Sequence, residues 1–416
     1  MVRLTTSEEP PMDIHLQIAD SLHMMALSDK FASQAEKQRL KQFVDTQIKE
    51  KKMLYLYDEL TGHRKVAQQQ GVAKNYISSA FAQQKAPLFN FDEGVYRDLE
   101  VSVEKELQRL RDAVKEAQES EGESEVRQAK LNIANFYKQI GNWEQAQKSY
   151  EQCISESVGV GPKLDLVFTK MRIAFFTLNV PVLRTLIERA NTLLEEGGDW
   201  ERRNRLRIYE GITFMLLRDF KRAAEAFLSS VSTFSATELM SYEDFVFYTV
   251  SLSMLALDRP QLNKKVLLNS DVLTVIGTLG PLEDYLRSFY NSKYQQFLLR
   301  LCDVLDMMQT KRYMSRHIAF YSREMRILAY KQFLQAYKSV TMQSMSQAFG
   351  LSMEFLDREL ARFIAIHRLP CKIDKVRQVI ETQRDDERSQ KYAKTIKQGD
   401  HLLNRIQKLS RVMDLE

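Results

Sequence analysis

Glycine and proline are both scarce in these 416 residues, at 14 and 8. Leu, Gln, Glu, Lys, Arg and Ala are plentiful, a balance that favours helices over sheets. Cysteine is scarcer still. Cys153, Cys302 and Cys371 are far apart and odd in number, which excludes a disulfide framework or a zinc spacing and leaves each to read as a small buried apolar residue. The six histidines (His15, His23, His63, His317, His367 and His401) are scattered, with no H-x-H or H-E-x-x-H pair among them. No sign of charge dominates: 60 basic against 55 acidic residues leave a net +5, less basic than a dedicated nucleic-acid binder. Long apolar runs are missing too. The longest uncharged run, Ser339 to Met353, is rich in Ser and Gln, and Phe245 to Leu257 is shorter. Neither reaches the roughly 20 apolar residues of a membrane span. The amino terminus (MVRLTTSEEPP) lacks the apolar core of a signal peptide, and no Asn-x-Ser/Thr acceptor occurs. A soluble intracellular protein is expected, with two or more domains for a chain of this length.

What is present is helical periodicity. Asp13 to Leu27 carries Ile14, Ile18, Leu22 and Met25; Gln34 to Leu60 carries Leu40, Phe43, Val44, Ile48 and Leu54. Tyr96 to Ser120 predicts a long charged helix with Leu99, Val103, Leu107, Leu110 and Val114 along one side. The acidic run Glu116 to Glu125 reads as a solvated helix end or loop. Tyr242 to Met308 continues the helical pattern, apolar on more than one face from Phe245 to Leu252, with punctuation at Pro260 and Gly280-Pro281.

Between these lies a repeat. In Ala129 to Cys153, Tyr137, Ala146, Tyr150 and Cys153 follow Ala134 at the tetratricopeptide offsets, which put small residues where two helices cross and aromatics in the gap beside them. Gly211, Phe214, Ala223, Phe227 and Ser230 repeat that spacing, and Asp165 to Glu196 supplies another helical pair around Ala174. About three helix–turn–helix repeats are expected, stacked as a right-handed α-solenoid.

The last fifth of the chain reads as a winged helix. Arg326 to Val340 is helical, with Ile327, Leu328, Phe333, Leu334 and Tyr337 as its apolar stripe. Thr341 to Gly350 is a short helix opening on a capping Thr and closing on Gly. Ser352 to Leu369 is a second amphipathic helix stopped by Pro370, and Cys371 to Thr382 alternates as a β-hairpin wing. Such a module binds DNA or other proteins. The mixed charges of the second helix (Glu354, Asp357, Arg358, Glu359, Arg362) oppose a phosphate backbone, while Lys372, Lys375 and Arg377 on the wing favour one. The final helix, Ser389 to Asp414, follows a polar stretch (QRDDERSQ) and lines up Leu402, Leu403, Ile406, Leu409 and Val412 among basic residues. That stripe either folds back on its own domain or joins helices of other chains. Catalysis is not expected: VGVGPK at Val158 to Lys163 lacks the phosphate-loop frame, and no nucleophile elbow appears.

A helical-repeat region running into a winged helix resembles the PCI-domain family. Within it, several stretches are similar to the branch found in the proteasome regulatory-particle lid. They are GESEVR (Gly122 to Arg127), EEGGDWERRNRLRIYE (Glu195 to Glu210), RDFKRAAEAFLSSVSTF (Arg218 to Phe234) and ELMSY (Glu238 to Tyr242). REMRILA (Arg323 to Ala329), ELARFI (Glu359 to Ile364), CKIDKV (Cys371 to Val376) and IKQGDHLLNRIQKLSRV (Ile396 to Val412) follow. The last is the most specific.

The resemblance implies an all-α chain: an amino-terminal helical extension over 1–94, tetratricopeptide-like repeats over 95–240, a PCI domain with a small β wing over 241–386, and a bundle helix over 387–416. It implies a non-catalytic scaffold of the lid, without cofactor, metal, nucleic acid or membrane, assembled as a hetero-oligomer in cytoplasm and nucleus. Its expected partners are the other lid PCI subunits, the lid deubiquitinase module and the ATPase base. The contact residues implied are Lys372, Ile373, Lys375, Val376 and Val379 on the wing and Leu402, Leu403, Ile406, Leu409 and Val412 on the last helix. A signalosome PCI scaffold and a winged-helix nucleic-acid adaptor are the alternatives.

Overall fold

The same backbone turn recurs along the chain and sets its architecture. Three helix pairs follow one another: α5 (Glu123–Ile140) with α6 (Trp143–Glu156), α7 (Val160–Phe176) with α8 (Val180–Glu195), and α9 (Trp200–Leu216) with α10 (Phe220–Leu228). Within each pair the first helix closes on a residue of positive φ: Gly141 (86°), Leu178 (51°) and Arg218 (67°). Its N–H and that of the next residue bond back into the helix. Asn142 reaches the Tyr137 carbonyl, Asn179 that of Ala174 and Asp219 that of Phe214, at 2.9–3.0 Å. The same Asn142, Asn179 and Asp219 then turn their side chains forward, accepting from the N–H groups of Gln145, Val182 and Arg222 to cap the second helix. One dipeptide thus ends one helix and starts the next. Only the first pair uses glycine at the left-handed position, so the turn is poorly marked in the sequence.

The computed structural model describes residues 12–62, 89–120, 122–382 and 387–413. The amino-terminal eleven residues and part of the polar stretch before the last helix lie outside them. The chain divides into two compact units, the first comprising residues 1–286 with 300–320, the second 287–299 with 321–416.

In the first unit the repeat pairs stack in order behind α4 (Glu93–Ser120). Ala134, Ala146 and Tyr150 are fully buried at the crossing of α5 and α6, and Gly211 meets Phe227 at the crossing of α9 and α10. These are the positions that the repeat spacing singles out. The amino-terminal helices α1 (Ile14–Ala26), α2 (Gln34–Glu50) and α3 (Leu54–Thr61) pack onto this stack. α1 buries Leu16, Ile18, Leu22 and Met25, and the His15 ring sits edge-on to Trp143 and Phe176. The single stretch expected from Gln34 to Leu60 is two helices. Lys52, at φ 55°, makes the same kind of turn without a Gly or Pro to announce it.

After the repeats comes α11 (Tyr242–Ala256), buried continuously from Phe245 to Met254, which explains its lack of a polar face. Two short helices follow, α12 (Arg259–Leu262) and α13 (Ser270–Ile276), with a π turn over Asn263–Leu267 between them. The helical run ends with α14 (Pro281–Tyr290) and α15 (Tyr294–Thr310).

The second unit is organised around Phe349. Its ring stacks on Tyr294 at 4.7 Å and meets Tyr330 and Phe333 edge-on at 4.9 and 5.5 Å. α16 (Ile318–Leu334), α17 (Met342–Phe349) and α18 (Met353–Ala365) supply its helices. Thr341 caps α17, Gly350 closes it in the left-handed conformation, and Ser352 caps α18. The first of these helices stops at Leu334, short of the expected Val340. Val340 instead belongs to β1 (Ser339–Thr341), a third strand beyond the hairpin read from the sequence. β1 pairs antiparallel with β3 (Val379–Thr382), which also pairs with β2 (Cys371–Asp374), giving the order β1-β3-β2. Three residues alternating buried and exposed are too few to stand out against a preceding helix. The last helix is α19 (Glu387–Met413).

Candidate protein-interaction surfaces

The wing is held from beneath and bare on top. Ile380, fully buried on β3, faces Ile373 on β2 and Val340 on β1. The turn between β2 and β3 is built by Asp374, whose Oδ1 accepts from the N–H groups of Val376 and Arg377 at 2.9 and 3.1 Å. That turn throws Val376 into solvent, 95% exposed. Lys372 and Lys375 are exposed, whereas Ile373 and Val379 are half-buried within the sheet. β1 and β2 are the sheet's edges, and neither meets a further strand among the described residues. An open edge with an exposed apolar tip favours pairing with another chain; Lys372 on β2 is the kind of residue that discourages indiscriminate pairing.

α18 is fastened below the wing. Glu359 is nearly buried and takes both the Arg326 guanidinium and the Tyr330 hydroxyl. Burial first, and then the bond to Glu359, push the Tyr330 phenol far above its ordinary value. On the outer side the charges cancel in pairs: Glu354 with Arg358 at 3.5 Å and Asp357 with Lys375 at 3.2 Å. Phe355 and Ile366 stand exposed beside them. Paired charges interleaved with apolar groups suit a protein surface better than a phosphate backbone.

The last helix presents the larger apolar surface. Leu402, Leu403, Ile406 and Leu409 are 56–61% exposed, with Tyr392 and Ile396 similar. Among the described residues nothing covers the stripe: every residue from Lys391 to Arg411 is exposed. The side chain of Val412 lies outside the described residues. The two sequence-derived groups therefore sit on separate elements, the β2–β3 hairpin and α19; Lys372, Lys375, Val376, Leu402, Leu403, Ile406 and Leu409 face solvent, and Ile373 and Val379 are half-buried.

Cys371 packs at the base of the wing, and burial pushes its thiol up to about 11, which keeps it protonated and inert at neutral pH. Cys153 is likewise buried, but Cys302 is exposed, contrary to the expectation that each would be buried.

Sequence reasoning missed how α1 is anchored. The Asp13 carboxylate caps α1 by accepting from the His15 N–H, and it also takes Lys138 from α5 and Arg172 from α7. Seven residues on, Asp20 takes the buried Arg312 Nε at 2.8 Å, while Arg312 Nη1 donates to the Phe175 carbonyl at 3.2 Å. Partners more than a hundred residues apart leave no periodic trace.

Comparison with known proteins adds names to these surfaces. A family model described as 26S proteasome subunit RPN7 matches residues 92–265, and a PCI domain model matches 294–384. A third, the 26S proteasome regulatory subunit RPN7/PSMD6 C-terminal helix, matches 391–413. The 26S proteasome non-ATPase regulatory subunit 6 of Oryza sativa is 45% identical over 324 residues, covering 78% of this chain and 83% of its own. That of Dictyostelium discoideum is 45% identical over 324 residues (78% and 85%). The 26S proteasome regulatory subunit RPN7 of Saccharomyces cerevisiae is 33% identical over 391 residues, covering 92% and 90%.

Proposed function

Because the chain belongs to the RPN7/non-ATPase regulatory subunit 6 family of the 26S proteasome, we propose that it is a non-catalytic scaffold of the regulatory-particle lid. In this reading the winged helix docks against neighbouring PCI subunits. α19 joins a bundle with their terminal helices, and the repeat stack reaches toward the ATPase base. The work is done in cytoplasm and nucleus as part of ubiquitin-dependent protein degradation.

The observation that carries the reading is the bare stripe of α19. Four large aliphatic side chains, each more than half exposed on one helix, are costly in water and are relieved by burial against partner helices. Each full burial contributes about 1.5–3 kcal/mol. The match of residues 391–413 to a model specific to this subunit's terminal helix favours the proteasome over the signalosome.

The test is deletion of residues 391–416. The truncated chain is expected to lose only the helicity of α19 itself and to keep its thermal transition, since the residues from Lys391 to Arg411 are all exposed, and to fail to enter the lid. Incorporation at the level of the full chain refutes the bundle.

A further inference from the structure

Two successive inter-repeat turns of the first unit put large apolar side chains into solvent. Val158, between α6 and α7, is 77% exposed, and Trp200, the first residue of α9, is 68% exposed. The other tryptophan, Trp143, is buried. The helices that these turns open, α7 and α9, are fastened to one another by Arg202. Its Nε and Nη2 donate to the two carboxylate oxygens of Asp165 at 3.0 and 2.8 Å, and Nη1 donates to Asp199. The guanidinium lies against Gly161, where a Cβ would fall 3.3 Å from Cζ. A forked, doubly paired guanidinium resting on a glycine has little freedom, so Trp200 stands on a rigid edge.

The turn before it is acidic and the helix after it basic. Residues 195–201 read Glu-Glu-Gly-Gly-Asp-Trp-Glu, four carboxylates with no cation, and Arg202, Arg203, Arg205 and Arg207 follow. Asp199 is answered by Arg202, and Glu201 by Arg205 at 3.0 Å. Glu195 and Glu196 are exposed, and no ion pair is made to either among the described residues. A large exposed indole offers an apolar face to a partner side chain, and the unanswered carboxylates of the turn before it attract a cation. Trp and Arg on a rigid support are also the residue types that dominate interface energies.

We propose that this turn is a docking site for a basic amphipathic segment of a neighbouring subunit. An aliphatic side chain of that segment covers Trp200, and a Lys or Arg meets Glu195 and Glu196. The proposal rests on the chain acting within a proteasome particle, and the experiment separates the two. A photoreactive benzoylphenylalanine replaces Trp200 in the full chain, the assembled particle is irradiated, and the cross-linked peptides are sequenced. The expected result is normal incorporation with cross-links to one segment of another subunit, rich in Lys or Arg around an aliphatic residue. Normal incorporation with no cross-link, with cross-links to an acidic segment, or with cross-links to this chain's own residues 391–413 overturns the docking site alone. Failure of the unmodified chain to enter any proteasome particle overturns the scaffold reading, and the docking site with it. As a second measurement, the captured segment is made as a peptide and titrated against the free full chain. Trp200→Ala, expected to keep its thermal transition, is expected to weaken binding about tenfold or more; equal affinity overturns the site.

Discussion

Gly211 on α9 lies directly under the ring of Phe227 on α10, and a Cβ there would fall 2.6 Å from Cδ1 and 3.0 Å from Cζ. Phe227 is fully buried and held from its other side by Phe245, at 5.4 Å in an edge-to-face pair. The ring has nowhere to retreat.

Gly211→Ala is therefore expected to destabilise the chain although alanine is the better helix former by about 1 kcal/mol. Forcing a methyl into a closed crossing costs about 1–3 kcal/mol, so the net effect is a thermal transition lowered by a few degrees. Phe227→Leu in the same chain should recover part of it. A transition equal to the parent's would show that the crossing can open. Gly399 on α19 has nothing within 4 Å of its Cβ position, so Gly399→Ala in the free chain should only raise helicity.

Asp13 gives a pH signature. Burial alone would raise its pKa, but the bond with His15 and the charge of Lys138 outweigh it and hold the carboxyl well below the usual carboxylate range. A depressed carboxyl stabilises the fold above its unfolded value of about 3.9, and that contribution is lost as pH falls below it. Burial also lowers Lys138, so much of the gross attraction is spent on desolvation. Asp13→Asn leaves two cations facing a neutral group and should cost about 3 kcal/mol at pH 7. Urea unfolding of the two proteins between pH 5 and 3 should show a flatter dependence for the variant. Parallel slopes would remove Asp13 as the source.

His23 and His317 act in a higher window. Burial, followed for His317 by the charges of Arg218 and Arg316, pushes both below the ordinary histidine value. The folded chain then binds these protons less readily than the unfolded one, so stability is complete above about pH 6.5 and declines as pH falls below it. His317 Nδ1 accepts from the Arg218 Nε at 3.3 Å, a bond that protonation abolishes. His23→Gln with His317→Gln should lose stability at pH 7.5 and show less further loss on going to pH 5.5. A loss as steep as the parent's would place the sensitivity elsewhere.

The wing separates docking from folding. Val376 is bare, so Val376→Glu is expected to leave the thermal transition within about 0.5 kcal/mol of the parent and to weaken pairwise binding to a neighbouring PCI subunit. Val379 sits on the central strand, opposite Asp374 and Thr341, and its change to Glu should cost stability as well as binding. Unimpaired binding by Val376→Glu would move the contact off the wing tip.

Much of the fold is legible without coordinates because it is local. Helix-forming composition and scarce Gly and Pro make the chain helical. The offsets Ala134–Tyr150 and Gly211–Phe227 specify the crossings because side-chain volumes at a close approach must be complementary. Thr341, Gly350 and Ser352 mark their helix ends through hydrogen bonds to residues three or four away. The turn at Lys52 escapes notice, and those at Leu178 and Arg218 are implied only by the repeat spacing, because the left-handed residue is not glycine and the surrounding packing imposes it. Strand β1 is lost because its partner, β3, lies forty residues on. Which charges meet is decided only by the tertiary structure: Asp13 with Lys138 and Arg172, Asp20 with Arg312, and Arg202 with Asp165. The same holds for which apolar groups remain in water, since the patterns that bury Leu16 and bare Leu402 are alike in sequence. Periodicity records that a face is apolar; what covers it depends on where the rest of the chain goes.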